Sequence, residues 1–132
     1  FPTRRSSDLL GMQLLADKSY EVRECQGLGY IPGEIVRFVP ETGNERIPHV
    51  GWNDIIKKQE QPILDGIEDG TNFYFVHSYH FNAKRPENVV TVTPYCGEFV
   101  SVVIRDNIVG TQFHPEKSQK AGFKLIKNFL KM

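Results

Sequence analysis

The chain has 132 residues, with 16 basic and 16 acidic side chains, four histidines and 39% hydrophobic residues, which is the composition of a soluble globular domain. A net charge of zero provides no field for a phosphate backbone, and no segment approaches the roughly 18 apolar residues of a membrane-spanning helix, so neither a nucleic-acid nor a membrane partner is expected. Cys25 and Cys96 lack CxxC spacing, and the chain opens on no signal-peptide pattern, so a reducing cytoplasmic location is favoured.

The first nine residues have the periodicity of neither a helix nor a strand. They read Phe-Pro-Thr-Arg-Arg-Ser-Ser-Asp-Leu and resemble the translation of a sequencing-adapter oligonucleotide, so we interpret residues 1–9 as a non-native addition. The alternative is a native basic arm, since chain termini are often disordered. On the first interpretation, residues 10–132 are the C-terminal part of a single domain of a longer protein.

From residue 10 onward the chain alternates between element types, which predicts an α/β fold. Leu10 to about Ser19 is predicted to be a short helix, with Leu10, Leu14 and Leu15 on one face. Glu34 to Phe38 is predicted to be a strand, and Pro40 to Pro48 a polar loop.

The second half of the chain is predicted to be mostly strands, because its apolar runs are rich in β-branched and aromatic residues. The predicted strands are Asn72 to Tyr79, Val89 to Thr93, Phe99 to Arg105 and Ile108 to Phe113. Asp106 and Asn107 predict a tight hairpin between the last two. Ser118 to Met132 has apolar residues at i, i+3 and i+4 spacing and is predicted to be a helix.

The most informative segment, Gly110 to Ser118, lies where a predicted strand ends and a predicted helix begins. Pro115 disfavours the helical region for His114 and so predicts an extended backbone, from which residues two apart project to the same side. The carboxylate of Glu116 can then reach the His114 imidazole, fix its tautomer and stabilise its cation, as the acid of a catalytic triad does. On its own, however, a histidine before a proline at a strand end is more often a loop residue than a general base.

Three further segments accompany this one in order: Gly27 to Gly33 with Val36 to Phe38, then Pro48 to Asn53, then Phe73 to Tyr79. Together they resemble the class I, or triad, glutamine amidotransferases over residues 10–132. The resemblance implies a flavodoxin-like α/β sheet, here lacking its N-terminal βα units, and hydrolysis of glutamine to glutamate and ammonia. It is greatest for the branch whose glutaminase delivers ammonia to a (β/α)8-barrel synthase subunit in histidine biosynthesis. No metal or organic cofactor is implied.

The same resemblance assigns roles to individual residues. His114 matches the general base and acid, and Glu116 the carboxylate that orients it. The positions that match substrate-binding residues are Gln13, Ser78 and Tyr79, and the amide of Leu10 matches an oxyanion donor. The positions that match the interface with the barrel are His49, Trp52, Asn53, Tyr74 and Lys117. Tyr74 could equally be a core aromatic, and His77 is interpreted as a core or interface histidine rather than a base.

The nucleophile of the family is a cysteine in a Cys-Leu-Gly-Met-Gln turn, whereas this chain reads Leu-Leu-Gly-Met-Gln from Leu9 to Gln13. Leucine cannot form a thiolate, so we expect the chain as it stands to be inactive as a glutaminase. Because Leu9 is also the last residue of the adapter-like segment, the simplest interpretation is that the addition replaced a native cysteine. Cys25 and Cys96 are not expected to substitute, since neither lies in a Gly-x-Cys-x-Gly turn.

Two alternatives stay open at this point. The chain could be a natural pseudo-glutaminase that binds a synthase without catalysis, an interpretation that Leu9 favours and the adapter-like segment opposes. It could also be the glutaminase subunit of another class I amidotransferase, such as one serving pyridoxal phosphate or nucleotide synthesis, because the His-Pro-Glu segment alone does not separate these subunits.

Overall fold

The computed structural model describes Met12, residues 15–20 and residues 24–132. The strands within this part are β1 (Lys18–Ser19), β2 (Cys25–Gln26), β3 (Gly33–Arg37), β4 (His49–Asp54), β5 (Ile56–Lys57), β6 (Asn72–His77), β7 (Tyr79–Ala83), β8 (Val89–Thr93), β9 (Phe99–Arg105) and β10 (Ile108–Thr111). Helix α1 is Gln119–Leu130, and short 3-10 turns cover Pro62–Leu64, Pro86–Asn88 and Pro115–Lys117. No helix in this described part is long and apolar enough to cross a membrane.

The strands form two sheets. The larger sheet has the order β2-β1-β3-β7-β9-β8-β5, with β10 also paired to β9. Among the described residues, β1 and β3 pair in parallel and the other neighbours are antiparallel. Strands β4 and β6 form a separate antiparallel ribbon. The mixed sheet with its packed helix confirms the predicted α/β class.

The burial of each strand follows its place in these sheets. Strands β8 and β9 lie inside the larger sheet and are buried along most of their length, as β-branched runs without alternation predict. Strand β6 alternates instead, with Phe73, Phe75 and His77 buried and the residues between them partly exposed. The ribbon therefore has an inner face against the core and an outer face toward solvent.

Helix α1 covers the core on the side of the ribbon. Leu125 reaches the buried cluster that contains Phe73 and Phe113, whose stacked rings have centroids 4.0 Å apart. The buried side chain of Asn128 donates to the carbonyls of Ile63 and Asp65, both at 2.9 Å. Apolar burial and this polar anchor together fix the helix against the turn at Pro62–Leu64.

Most predicted elements are present with shifted ends, but the helix predicted for Leu10 to Ser19 is wrong in its second half. Met12 is helical, whereas residues 15–17 turn and β1 begins at Lys18. The carbonyl of Leu15 accepts from the amide of Ile31 at 3.0 Å, and the carboxylate of Asp17 accepts from the amide of Gly33 at 3.1 Å. These long-range bonds draw the segment into the sheet, overriding its helical periodicity.

The other boundaries differ by a few residues. The run predicted as one strand from Asn72 to Tyr79 divides at Ser78, so that β6 belongs to the ribbon and β7 to the larger sheet. The predicted hairpin at Asp106 and Asn107 is confirmed, with β9 and β10 paired on either side of it. Residues 1–9 and the predicted helix start at Leu10 lie outside the described residues.

Candidate functional site

His114, Pro115 and Glu116 form a turn three residues beyond the end of β10. His114 has φ −95° and ψ 99°, the extended backbone predicted from the following proline. Pro115–Lys117 then make a 3-10 turn, where the sequence had predicted that the extended backbone would continue. The turn still brings the Glu116 carboxylate to the ring, with Oε1 2.8 Å from Nδ1 of His114.

This contact determines how the imidazole can act. A carboxylate can only accept, so Nδ1 of His114 carries the proton and Nε2 is the nitrogen able to exchange one with a substrate. The His114 side chain is 14% exposed and that of Glu116 44% exposed. The pair therefore sits at the surface of a buried framework, with the ring oriented for acid and base chemistry.

The backbone of Tyr74 on β6 holds this turn in place. Its carbonyl accepts from the amide of His114 at 2.9 Å, and its amide donates to the hydroxyl of Ser118 at 3.0 Å. The same hydroxyl donates to the carbonyl of His114 at 2.6 Å, and Ser118 is buried. The three bonds form a closed ring that fixes the backbone of His114 against β6.

Gly122 allows α1 to start close beneath the turn. A Cβ at this position would lie 1.8 Å from the carbonyl oxygen of Pro115 and 3.1 Å from Cβ of Ser118. Backbone atoms cannot give way as a flexible side chain can, so any side chain at 122 would push the helix and the turn apart.

The inner face of the ribbon carries two buried histidines, directly opposite each other. His49 and His77 are register partners, each 4% exposed, with Nδ1 of His49 2.9 Å from Nε2 of His77. Burial lowers the pKa of His49 to about 4. Burial also lowers the pKa of His77 to about 3, with smaller contributions from the charges of His49, His80 and His114.

The outer face of the ribbon is apolar and aromatic. Trp52 is 48% exposed and lies opposite Tyr74, with ring centroids 5.8 Å apart in an edge-to-face arrangement. Val50 and Val76 form the neighbouring cross-strand pair. We call these four residues the outer ribbon patch. Exposed aromatic and aliphatic side chains held together on a rigid ribbon are the usual components of a protein interface.

The structure separates the residues that were predicted to contact a partner. Trp52 and Tyr74 lie in the outer ribbon patch, and Lys117 is exposed on the 3-10 turn. The ring of His49 is buried on the inner face of the ribbon, and its contact with a partner stays a prediction. The side chain of Asn53 bonds to His49 and to the carbonyl of Pro94.

Ser78 and Tyr79 lie at the crossover from β6 to β7. The amide of Phe38, just after β3, donates to the carbonyl of Ser78 at 3.1 Å. The other substrate-binding prediction, Gln13, and the predicted oxyanion donor Leu10 fall outside the described residues, as does Leu9. Their roles stay predictions.

Cys96 has a structural setting that fits no catalytic role. It lies in the turn between β8 and β9 with φ 51°, and its thiol is unpaired. Desolvation, together with the nearby carboxylates of Glu45 and Glu41, raises its pKa. A raised pKa disfavours the thiolate, which is the form that attacks an amide.

Two residues that support the turn, Ser118 and Gly122, were not singled out from the sequence, and His49 was predicted at an interface rather than as a buried partner of His77. Ser118 and Gly122 do carry a local signal, a serine and a glycine four residues apart beside the His-Pro-Glu segment. The pairing of His49 with His77 depends on strand register across 28 residues, which local patterns do not encode.

Comparisons with known proteins agree on one family. Residues 10–132 match the family described as glutamine amidotransferase class-I. Imidazole glycerol phosphate synthase subunit HisH of Azospirillum brasilense is 48% identical over 127 residues, covering 96% of this chain and 66% of that protein. The protein of the same name from Brucella abortus (strain 2308) is 49% identical over 125 residues, covering 92% and 58%. The chain thus spans about three-fifths of the length of these curated relatives.

A solved structure supports the same architecture. The crystal structure of a protein from Thermoplasma acidophilum, described as a GMP synthase component, matches with a TM-score of 0.59 at 17% identity. The match covers 75% of this chain and 47% of that one. At this identity the likeness concerns the fold alone.

Replacing Gly122 with alanine is expected to destabilise the protein, although glycine to alanine within a helix is ordinarily stabilising by about 1 kcal/mol. The new methyl group would meet the carbonyl of Pro115, and overpacking against backbone costs about 1–3 kcal/mol or more. Urea unfolding measures the change. Lys120→Ala, at an exposed position of the same helix, is the control and should stay within about 0.5 kcal/mol. A Gly122→Ala protein as stable as the unsubstituted chain would contradict the close approach of residue 122 to the carbonyl of Pro115.

Acidification from pH 7 to pH 5 is expected to lower the free energy of unfolding by about 2 kcal/mol through His77 alone. Its pKa is about 3 when folded and about 6.5 when unfolded, so the unfolded chain takes up the proton first. The contribution of neutral His77 to the free energy of unfolding is present above about pH 6.5 and is lost as the pH falls toward 3. Urea unfolding of the unsubstituted chain and of His77→Phe at both pH values measures the effect. Parallel pH dependences for the two proteins would contradict it.

Proposed function

The chain belongs to the class I glutamine amidotransferase family, and from this premise we propose that its parent protein hydrolyses the side-chain amide of glutamine with His114 and Glu116 as two members of a triad. The observation that carries the proposal is the 2.8 Å contact between Nδ1 of His114 and Oε1 of Glu116 at the exit of β10. The contact supports a ring whose Nε2 is directed to the reaction.

The proposed chemistry needs a nucleophilic cysteine at position 9 of the parent protein. Nε2 of His114 takes the thiol proton, and the thiolate attacks the amide carbon of glutamine to form a thioester as the C–N bond breaks. The same nitrogen returns the proton to the departing ammonia and then activates the water that releases glutamate. Glu116 holds the imidazole in position and stabilises its cation throughout.

The packing of the segment after position 9 supports this placement. A Cβ on Gly110 would lie 2.9 Å from Cδ1 of Leu15 and 3.1 Å from Cγ of Met12. The segment that follows the proposed nucleophile therefore lies against β10, the strand that leads to His114. In the same proposal, glutamine binds Gln13 and the backbone of Ser78 and Tyr79, and the amide of residue 10 holds the oxyanion.

We propose further that the ammonia passes to a (β/α)8-barrel subunit that makes imidazole glycerol phosphate in histidine biosynthesis. The relatives that carry the name imidazole glycerol phosphate synthase subunit HisH support this choice of pathway. The outer ribbon patch and the exposed Lys117 supply the contact surface. We also propose a cytoplasmic location, where glutathione and thioredoxin keep a free thiol reduced.

The chain as it stands is proposed to be inactive, since position 9 is leucine. That residue also favours the second candidate function, a pseudo-glutaminase that binds the synthase without catalysis. Genomic sequence upstream of Leu10 separates the two. A cysteine codon at position 9 supports the glutaminase, and any other native codon supports the binding module.

The catalytic proposal is tested in the longer parent protein, with cysteine at position 9, by measuring glutamate release. His114→Ala is expected to reduce kcat by about 10³-fold or more, because the triad loses its proton carrier. Glu116→Gln keeps the size of the side chain and should also reduce kcat, by a smaller factor than His114→Ala. Glu87→Gln alters the glutamate of the similar Pro86–Asn88 turn and should leave kcat unchanged. Near-normal turnover by His114→Ala would contradict the proposal.

The partner proposal is tested by binding of this chain to the barrel subunit of imidazole glycerol phosphate synthase. Trp52→Ala is expected to raise Kd by about 30-fold, because a central interface tryptophan contributes about 2 kcal/mol or more. Phe123→Ala removes an aromatic side chain that is also exposed, on α1, and serves as the control with unchanged Kd. Isothermal titration calorimetry measures both. Equal losses in the two variants would contradict the assignment of the outer ribbon patch.

A further inference from the structure

A chain of side-chain hydrogen bonds crosses the inner face of the ribbon and ends at the Ser78–Tyr79 crossover. Its first member is Asn53, whose Oδ1 accepts from the amide of Asp54 at 2.8 Å. Its Nδ2 donates to the carbonyl of Pro94 at 3.0 Å and lies 3.2 Å from Nε2 of His49. The backbone amide of Asp54 can only donate and the carbonyl of Pro94 can only accept, so the side-chain amide of Asn53 has one possible orientation. Its Nδ2 is therefore the donor toward Nε2 of His49, which must accept.

At the Tyr79 end of these hydrogen bonds, the tautomer of the His77 ring is determined independently. Nδ1 of His77 lies 2.9 Å from the carbonyl oxygen of Tyr79, and a carbonyl can only accept, so this nitrogen carries a proton. In the neutral ring, Nε2 of His77 is then an acceptor. It faces Nδ1 of His49 at 2.9 Å, which must donate. The assignments from the two ends agree, with one proton between the two rings and both histidines in the Nδ1–H form.

The surroundings make this the one arrangement that leaves no polar atom of the two rings unpaired. Phe38, Phe75 and Phe99 pack around His77, with ring centroids 4.9, 5.6 and 4.8 Å away. Tyr95 stacks on His49 at 4.0 Å. In this enclosed setting, a second proton on either ring would place two donors face to face, and the other tautomer of His77 would orphan the carbonyl of Tyr79.

We propose that His77 is a positioning residue: held as the Nδ1–H tautomer by His49 and Asn53, it fixes the carbonyl of Tyr79 and so the backbone that binds the substrate amino acid. The crossover is where the chain leaves the ribbon for the larger sheet, and its other carbonyl, on Ser78, is held by the amide of Phe38. The part of this inference that concerns substrate rests on the proposed glutaminase function.

The tautomers are tested on this chain, labelled with ¹⁵N-histidine, by two-bond ¹H–¹⁵N correlation spectra at pH 7. Both His49 and His77 are expected as neutral Nδ1–H rings. Asn53→Asp replaces the donor with a carboxylate of the same size, so His49 is expected to gain a second proton and appear as an imidazolium. Asn82→Asp, at an exposed position of β7, is the matched control and should leave both rings unchanged. An Nε2–H form of His77 in the parent chain would overturn the proposal.

The positioning role is tested by two replacements of His77. Asn carries its amide nitrogen where Nδ1 lies and can still donate to Tyr79, whereas Phe cannot. Hydrogen exchange of the amides around Ser78 is expected to accelerate in His77→Phe and to stay close to the parent rate in His77→Asn. Equal exchange rates in the two variants would overturn the role.

Kinetics in the longer parent protein extend the test to substrate. His77→Phe is expected to raise KM for glutamine about tenfold with kcat within about twofold, and His77→Asn to restore KM. Unchanged KM in an active His77→Phe enzyme would overturn the positioning of substrate. Absence of turnover in the unsubstituted longer protein would overturn the proposed function together with the substrate part of this inference. The spectra would still show, by themselves, whether His49 and His77 have the tautomers that these hydrogen bonds require.

Discussion

The backbone of Tyr74 carries both sides of the His-Pro-Glu turn, because its carbonyl accepts from His114 and its amide donates to the hydroxyl of Ser118. Strand β6 is in turn fixed by six register pairs with β4. One short ribbon therefore orients the imidazole, supports the core through its inner side chains and presents the outer ribbon patch to solvent. Because alternate side chains of a strand point to opposite faces, the same strand can pack against the core on one side and face solvent on the other.

The close approach of helix α1 to the His-Pro-Glu turn is the second constraint on the site. Helix α1 can begin directly beneath the turn only because residue 122 has no Cβ, and the buried hydroxyl of Ser118 replaces a cap on the helix with a bond to His114. The local fold thus favours the position of the His114 ring over the ideal start of a helix. This is the kind of local compromise expected where a protein holds a functional group in place.

Local patterns in the sequence were sufficient for β3, β6, β8, β9 and β10, for the hairpin at Asp106, and for the approach of Glu116 to His114, because each depends on neighbouring residues. They did not predict β4 (His49–Asp54), which pairs with β6 in the ribbon. The family resemblance and the α/β class are likewise confirmed. The burial of His49 and the early end of the first helix could not be predicted in this way. Both follow from hydrogen bonds between segments far apart in sequence, such as the amide of Ile31 on the carbonyl of Leu15, and the register that makes such bonds is a property of the whole sheet.

Glu116 keeps 44% of its side chain exposed while bonding to a ring that is 14% exposed. Water and dissolved ions therefore screen the carboxylate, and its electrostatic hold on the imidazolium is weakest when this surface is bare. Any macromolecule that settled over the turn would exclude that solvent and lower the local dielectric constant. The same two side chains, without moving, would then attract each other more strongly, so the turn could respond to coverage through solvation rather than through a change of shape.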